Sequence, residues 1–218
     1  MLIDFIKEYL LIAKLIMQSL YIKSPPENWS KGKLGNIFII QDFNETFLPL
    51  KYLGDQLNKA GYRIYSCDFN SRKPIKEIAS IVKKNLKKLK LGDVIFLTHS
   101  KGGLIAKYLL DNDEYCRKII KIVFAIASPF LGTNWGYLRI ANLFELIPGS
   151  NILNQLNSKT NNNYKIISIL PSHDDFVPKS SMYLKGVTII QTKIIGHTQI
   201  LISSETLKII LKLLKGKR

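Results

Sequence analysis

The chain is poor in cysteine, in histidine and in acidic residues, and it lacks a long uninterrupted apolar run. Two cysteines in 218 residues, Cys67 and Cys116, exclude the disulfide framework of a small secreted domain. Cys67 stands in an apolar, strand-like run and Cys116 in a polar one, so both read as free thiols, in keeping with a reducing compartment. Only 16 acidic residues face 32 basic ones, a formal charge of +16. No finger, RNP-like or arginine-rich motif accompanies that excess. The lysines alternate with leucine, isoleucine or valine over 82–90 and 207–212, the pattern of solvated faces on amphipathic helices. Nucleic-acid binding is therefore not expected. Attraction to an anionic membrane surface is the better use of the charge.

The longest apolar region is residues 1–22, and it is broken by Asp4, Lys7, Glu8 and Lys14. Four charges make a bilayer-spanning helix too costly, and no small-residue cleavage site marks a secretory signal. With Gln18, those charges fall on one stripe of a helix whose remaining positions are almost all apolar. The segment 1–24 is thus expected as an amphipathic helix, packed on the domain or lying on a membrane or partner. Free thiols and the missing signal favour a cytoplasmic protein, peripheral at a membrane if this helix docks there. Pro25 and Pro26 end the helix, and 25–34 reads as a linker into a domain over 35–218.

Glycine and proline are sparse enough to leave clear elements between them. Apolar, strand-like runs at 37–40, 62–67, 94–97, 119–126, 164–170 and 187–195 alternate with helical patterns near 48–57, 73–90, 103–110 and 204–214. Continuous apolar strands separated by helices predict an α/β fold with a mostly parallel sheet of about six strands, covered on both faces. In such sheets reactive groups gather at the carboxyl ends of strands.

Ser100 stands at such an end, in Thr98-His99-Ser100-Lys101-Gly102-Gly103. A sharp strand-to-helix turn exposes a serine oxygen and points backbone N–H groups at a developing oxyanion, and small residues are needed where strand and helix approach. Gly102 and Gly103 meet that need; Thr98 is larger than the usual first glycine. A serine hydroxyl also needs a base, and the chain has only three histidines. His99 adjoins Ser100, so its side chain points elsewhere. His197 follows the last strand, where a late loop reaches back to earlier strand ends. Of the acids between Ser100 and His197, Asp111, Asp113 and Glu114 end the helix after the turn, and Glu145 lies in an apolar segment. Asp174 and Asp175 directly follow a strand. The order Ser, Asp, His is that of one known catalytic arrangement.

These residues resemble the α/β-hydrolase superfamily, and within it the small lipase-like serine esterases. Besides the elbow, Ala127-Ser128-Pro129-Phe130-Leu131-Gly132-Thr133, Pro148-Gly149-Ser150 through Leu156, Asp174-Asp175-Phe176-Val177-Pro178 and Gly196-His197 match the family's segments in order. The resemblance covers roughly 35–214. It implies a minimal hydrolase fold, a Ser100–His197–Asp174 triad, an acyl-enzyme, and carboxylic esters, lipid-like ones above all, as substrates. Asp174 is preferred over Asp175 because the family's acid stands three residues before the valine. It also implies oxyanion donors at the backbone N–H groups of Phe43 and Lys101, and substrate contacts from Phe130, Trp135, Leu143 and Val177. It implies neither cofactor nor metal.

The chain departs from the family where relatives carry His-Gly and it carries Gln41-Asp42, which brings a carboxylate near a developing negative charge. That departure keeps open a catalytically impaired member of the fold serving as a membrane-associated interaction module, and the triad alone does not exclude an acyltransferase. The apolar residues of 134–156 read either as a lid or acyl wall, or as core.

Overall fold

The computed structural model describes residues 2–42, 46–138 and 140–216. Six strands form one sheet: β1 (Asn36–Ile40), β2 (Arg63–Tyr65), β3 (Val94–His99), β4 (Ile120–Ile126), β5 (Ile166–Leu170) and β6 (Thr188–Gln191), in the order β2-β1-β3-β4-β5-β6. All five pairings are parallel. Among the described residues seven α-helices accompany them: α1 (Leu2–Tyr21), α2 (Lys51–Lys59), α3 (Ile75–Lys88), α4 (Lys101–Asn112), α5 (Glu114–Ile119), α6 (Asn151–Asn157) and α7 (Ser204–Lys215).

Strand alternation divides the core in two. Phe38, Ile40 and Phe96 face one side of the sheet, where Ile78, Val82 and Leu86 of α3 and Ile105 and Leu109 of α4 cover them. Ile37, Ile39 and Leu97 face the other, against Leu53 and Leu57 of α2 and Ile210 and Leu214 of α7. Both faces are dry, which is why the strands read as unbroken apolar runs. β6 is the exception: it is one of the two outer strands, largely exposed, and covers four residues where a longer strand is expected. Pairing resumes beyond it at a bridge between His173 and Ile195.

The sheet order reverses direction between β1 and β3. The crevice outside the carboxyl ends of such a pair is where α/β sheets bind ligands. Gln41 and Asp42 leave the end of β1 there, and Ser100 follows β3.

The segment 25–34 is not a free linker. A 3-10 turn at Glu27–Ser30 buries Trp29, whose indole N–H donates to Asp55 Oδ1 at 2.8 Å. The N–H groups of Lys33 and Leu34 both donate to the Gly61 carbonyl. Trp29 fills the space over Gly54 on α2, so the segment is part of the core.

α1 is turned unexpectedly. Its charged stripe does not face solvent throughout: Glu8 is 1% exposed, while Ile3, Ile6, Leu10, Met17, Leu20 and Tyr21 are outside. None of the helices, among the described residues, is long and apolar enough to cross a membrane.

Candidate active site

Ser100 links β3 to α4 with φ 47° and ψ −117°, a strained conformation for a residue with a side chain. The strain is held by packing. Its N–H donates to the Ile126 carbonyl at 2.9 Å on β4. A Cβ on Gly102 would collide with the Ile40 carbonyl, and one on Gly103 with the Ser128 side chain. The two glycines are thus required by how closely α4 approaches β1 and β4. Thr98 is accommodated because it is fully buried with its hydroxyl donating to the Phe124 carbonyl at 3.0 Å. The Lys101 side chain is also buried, donating from Nζ to the carbonyls of Ser71 and Lys73 at 3.1 and 2.7 Å. Burial lowers its pKa, against the raising influence of Glu145 and Asp42.

Asp174 and His197 meet across the ends of β5 and β6. Asp174 Oδ2 lies 2.7 Å from His197 Nδ1. Its Oδ1 accepts the N–H groups of Phe176 and Val177 at 2.8 and 2.9 Å. Each carboxylate oxygen therefore has work, and the imidazole is oriented through Nδ1. Asp175 turns outward, with Oδ1 3.3 Å from the exposed His173. His99, whose neighbour is Ser100, supports the same loop from beneath. Its Nε2 lies 3.2 Å from the His197 carbonyl, which can only accept, so that nitrogen carries a proton.

Two residues enter the site through contacts that local pattern did not show. The first is Asp42. Its Oδ1 accepts the Lys101 backbone N–H at 3.0 Å, the donor expected for an oxyanion. Its Oδ2 lies 3.7 Å from His197 Nε2. Among the described residues no hydrogen bond joins that nitrogen to the Ser100 hydroxyl. Burial pushes the His197 pKa down, but the charges and hydrogen bonds of Asp174 and Asp42 outweigh it and hold it well above the ordinary histidine value. Phe43, the other expected oxyanion donor, lies outside the described residues. Asp42, His99 and His197 each bring one potential metal-ligating atom within 4.8 Å of the others. That group shares the Asp42 and His197 side chains with the proton-handling contacts just described.

The second is Glu8 of α1. Its Oε1 accepts the Thr198 N–H at 2.6 Å and its Oε2 the Gln199 N–H at 2.9 Å. These are the two residues after His197, at the start of a 3-10 turn over Gln199–Ile202 whose first N–H groups have no partner within the turn. Gly196 has φ +116°, and a Cβ there would strike the Glu8 carboxylate. Gln199 Nε2 donates in turn to the Asp4 carbonyl at 2.7 Å. A carboxylate 190 positions upstream thereby caps the histidine loop.

A cavity of about 360 Å³ opens beside Ser100, His197 and Asp42. Its walls are mainly apolar: Trp135, Leu143 and Val177 line it, and Ile12, Leu15 and Ile16 of α1 complete it. Phe130 does not line it. It is fully buried in the core cluster that Leu143 and Leu146 also join, so the substrate contact expected of it is not seen. Residues 134–146 fold as two 3-10 helices, Asn134–Leu138 and Ala141–Leu146. They combine both readings of the segment: Leu143 and Leu146 point into the core, while Trp135 and Leu138 stay exposed at the cavity.

Comparison with known proteins bears on the family and the fold. Residues 41–210 match the model of the PGAP1-like alpha/beta domain. Among solved structures, the chain is similar to mature Bacillus licheniformis lipase BlEst2, with a TM-score of 0.68 and 15% identity over 88% of this chain and 95% of that one. Paleococcus ferrophilus monoacylglycerol lipase gives a TM-score of 0.64 and 13% identity over 85% and 95%. Aspergillus fumigatus lipase B gives 0.72 and 15%, over 88% of this chain and 55% of that one. At such identities the likeness establishes the fold, that of the α/β hydrolases. No curated protein sequence matches the chain.

Proposed function

The chain belongs to the PGAP1-like alpha/beta domain family, and within it we propose that it is a serine hydrolase of carboxylic esters with apolar, lipid-like acyl groups. The observation that carries this reading is the Asp174–His197 pair at 2.7 Å, sharing a largely apolar cavity with a serine held at positive φ. Ser100 Oγ attacks the ester carbonyl carbon while His197 Nε2 takes its proton. Asp174 holds the imidazole orientation and stabilises the imidazolium. The carbonyl oxygen, now negative, takes the Lys101 N–H as donor. Collapse breaks the ester C–O bond, His197 returns the proton to the leaving alcohol, and the acyl group stays on Ser100. Water, deprotonated by His197, then releases the acid and restores the serine. Apolar walls suit a hydrocarbon acyl chain, which gains by leaving water.

Asp42 must leave the Lys101 N–H and His197 Nε2 before the first step, because it holds both groups the step needs. The same observation favours one second reading, a catalytically impaired member of the fold that binds without turning over. A fluorophosphonate probe decides between them. The hydrolase reading expects covalent labelling of the wild type that is lost in Ser100→Ala and strongly slowed in His197→Ala. A folded wild type that stays unlabelled refutes it and leaves the impaired reading.

A further inference from the structure

α1 lies outside the matched family region of residues 41–210, yet it is built into the site from its inner side. Its outer side has no such role. Leu10 and Met17 are 65% and 56% exposed, and Ile3, Ile6, Leu20 and Tyr21 share the same arc of the helix. An arrangement with the acid inside and the apolar arc outside is the reverse of what folding in water selects. The arc does not stop at the helix. Ile16, Trp135, Leu138 and Ile140 are each exposed and each line the cavity, so the apolar surface runs from α1 around the cavity mouth. A continuous exposed patch of this kind marks an interaction surface.

We propose that this surface docks on an anionic lipid bilayer, with α1 lying in the membrane plane. Lys7 and Lys14 are exposed on one border of the arc, where long basic side chains reach headgroups while the arc enters the acyl boundary. The chain's formal charge of +16 favours a negatively charged lipid surface. That charge also opposes a second copy as occupant, since two such molecules repel. Four charged residues and the buried Glu8 contact keep the helix on the surface rather than across it. Docking itself does not depend on the ester-hydrolase reading. Only its consequence does: a lipid ester would pass from the bilayer to Ser100 without crossing water.

The test is co-sedimentation of the full chain with POPC vesicles, with and without POPG, comparing wild type with Leu10→Glu/Met17→Glu. Neither residue lines the cavity. The expected result is strong binding to POPG-containing vesicles, weak binding to pure POPC, reversal by salt, and a loss of about tenfold or more in the double variant. Absence of wild-type binding to anionic vesicles overturns the proposal, as does a folded double variant that binds equally well. A wild-type dimer that the double variant dissociates, without vesicle binding, overturns it in favour of a second copy. If the double variant does not fold, quenching of wild-type tryptophan fluorescence by brominated anionic lipid decides. Trp29 is fully buried, so quenching reports Trp135 at the cavity rim, and its absence overturns the proposal. Fluorophosphonate labelling of Ser100, scored separately without vesicles, keeps a failure of docking distinct from a failure of the hydrolase reading.

Discussion

Under the proposed hydrolase reading, removing the Asp42 carboxylate is expected to raise activity. Oδ1 occupies the Lys101 N–H at 3.0 Å and Oδ2 lies 3.7 Å from His197 Nε2. An oxyanion cannot use that N–H until the carboxylate withdraws. A hydrogen bond to a charged group contributes about 1.5–3 kcal/mol, which corresponds to a factor of about 10–150 in rate at about 1.36 kcal/mol per tenfold. Asp42→Ala is therefore expected to raise kcat/KM on a short-chain p-nitrophenyl ester by about one to two orders of magnitude. Asp42→Asn, which keeps an acceptor but loses the charge, falls between. A pH profile supplies an independent reading. Asp42 favours the imidazolium of His197, so its loss lowers the histidine's pKa. The base form then persists to lower pH, and the acidic limb of kcat/KM moves down. A folded Asp42→Ala that is slower than wild type, with the limb unmoved, would refute the reasoning and make the carboxylate part of the working machinery.

Glu8→Ala leaves the N–H groups of Thr198 and Gln199 without their acceptor, at about 1–3 kcal/mol for the buried Thr198 N–H and less for the half-buried Gln199 N–H. Both the melting temperature and the rate of fluorophosphonate labelling are expected to fall, and unchanged labelling in a folded variant would show that the cap does not position His197. Lys107, fully buried on α4, donates to Asp111 Oδ2, the Lys159 carbonyl and Asn163 Oδ1 at 2.9, 2.8 and 2.7 Å. Lys107→Met strands a buried carboxylate and is expected to cost about 3–5 kcal/mol in urea unfolding; a loss below about 1 kcal/mol would mean that Asp111 finds water or another partner. Burial pushes both Cys67 and Cys116 up to about 12, so neither thiol is expected to react with Ellman's reagent in the native protein, and both react after denaturation.

The strands and the elbow were legible because their signals are local. Five of six apolar runs correspond closely to strands, since a parallel sheet dry on both faces demands such runs. Gly102 and Gly103 announced the close approach of α4, and Asp174 stood at a strand end in the right chain order. β6, one of the two outer strands, was read too long because its exposed residues impose no burial pattern to bound it. Trp29 looked like part of a linker because its partners, Gly54 and Asp55, lie 25 and 26 positions away. Phe130, for which the resemblance implied a substrate contact, lies in the core behind the cavity wall, a distinction that position in the sequence does not make.

Glu8 and Asp42 mark the boundary between the two kinds of information. Sequence alone determined the alternating elements, the serine at a strand end, a histidine and acid on later loops, and an unusual carboxylate after the first strand. Those follow from period, glycine placement and chain order, which neighbours in sequence are enough to specify. Only the tertiary structure decided that Asp42 takes the Lys101 N–H and that α1 turns its acid inward and its apolar arc outward. Both depend on contacts 59 and 190 positions apart. At such separations the balance among burial, charge and hydrogen bonding is set by the packed whole, and no local pattern encodes it.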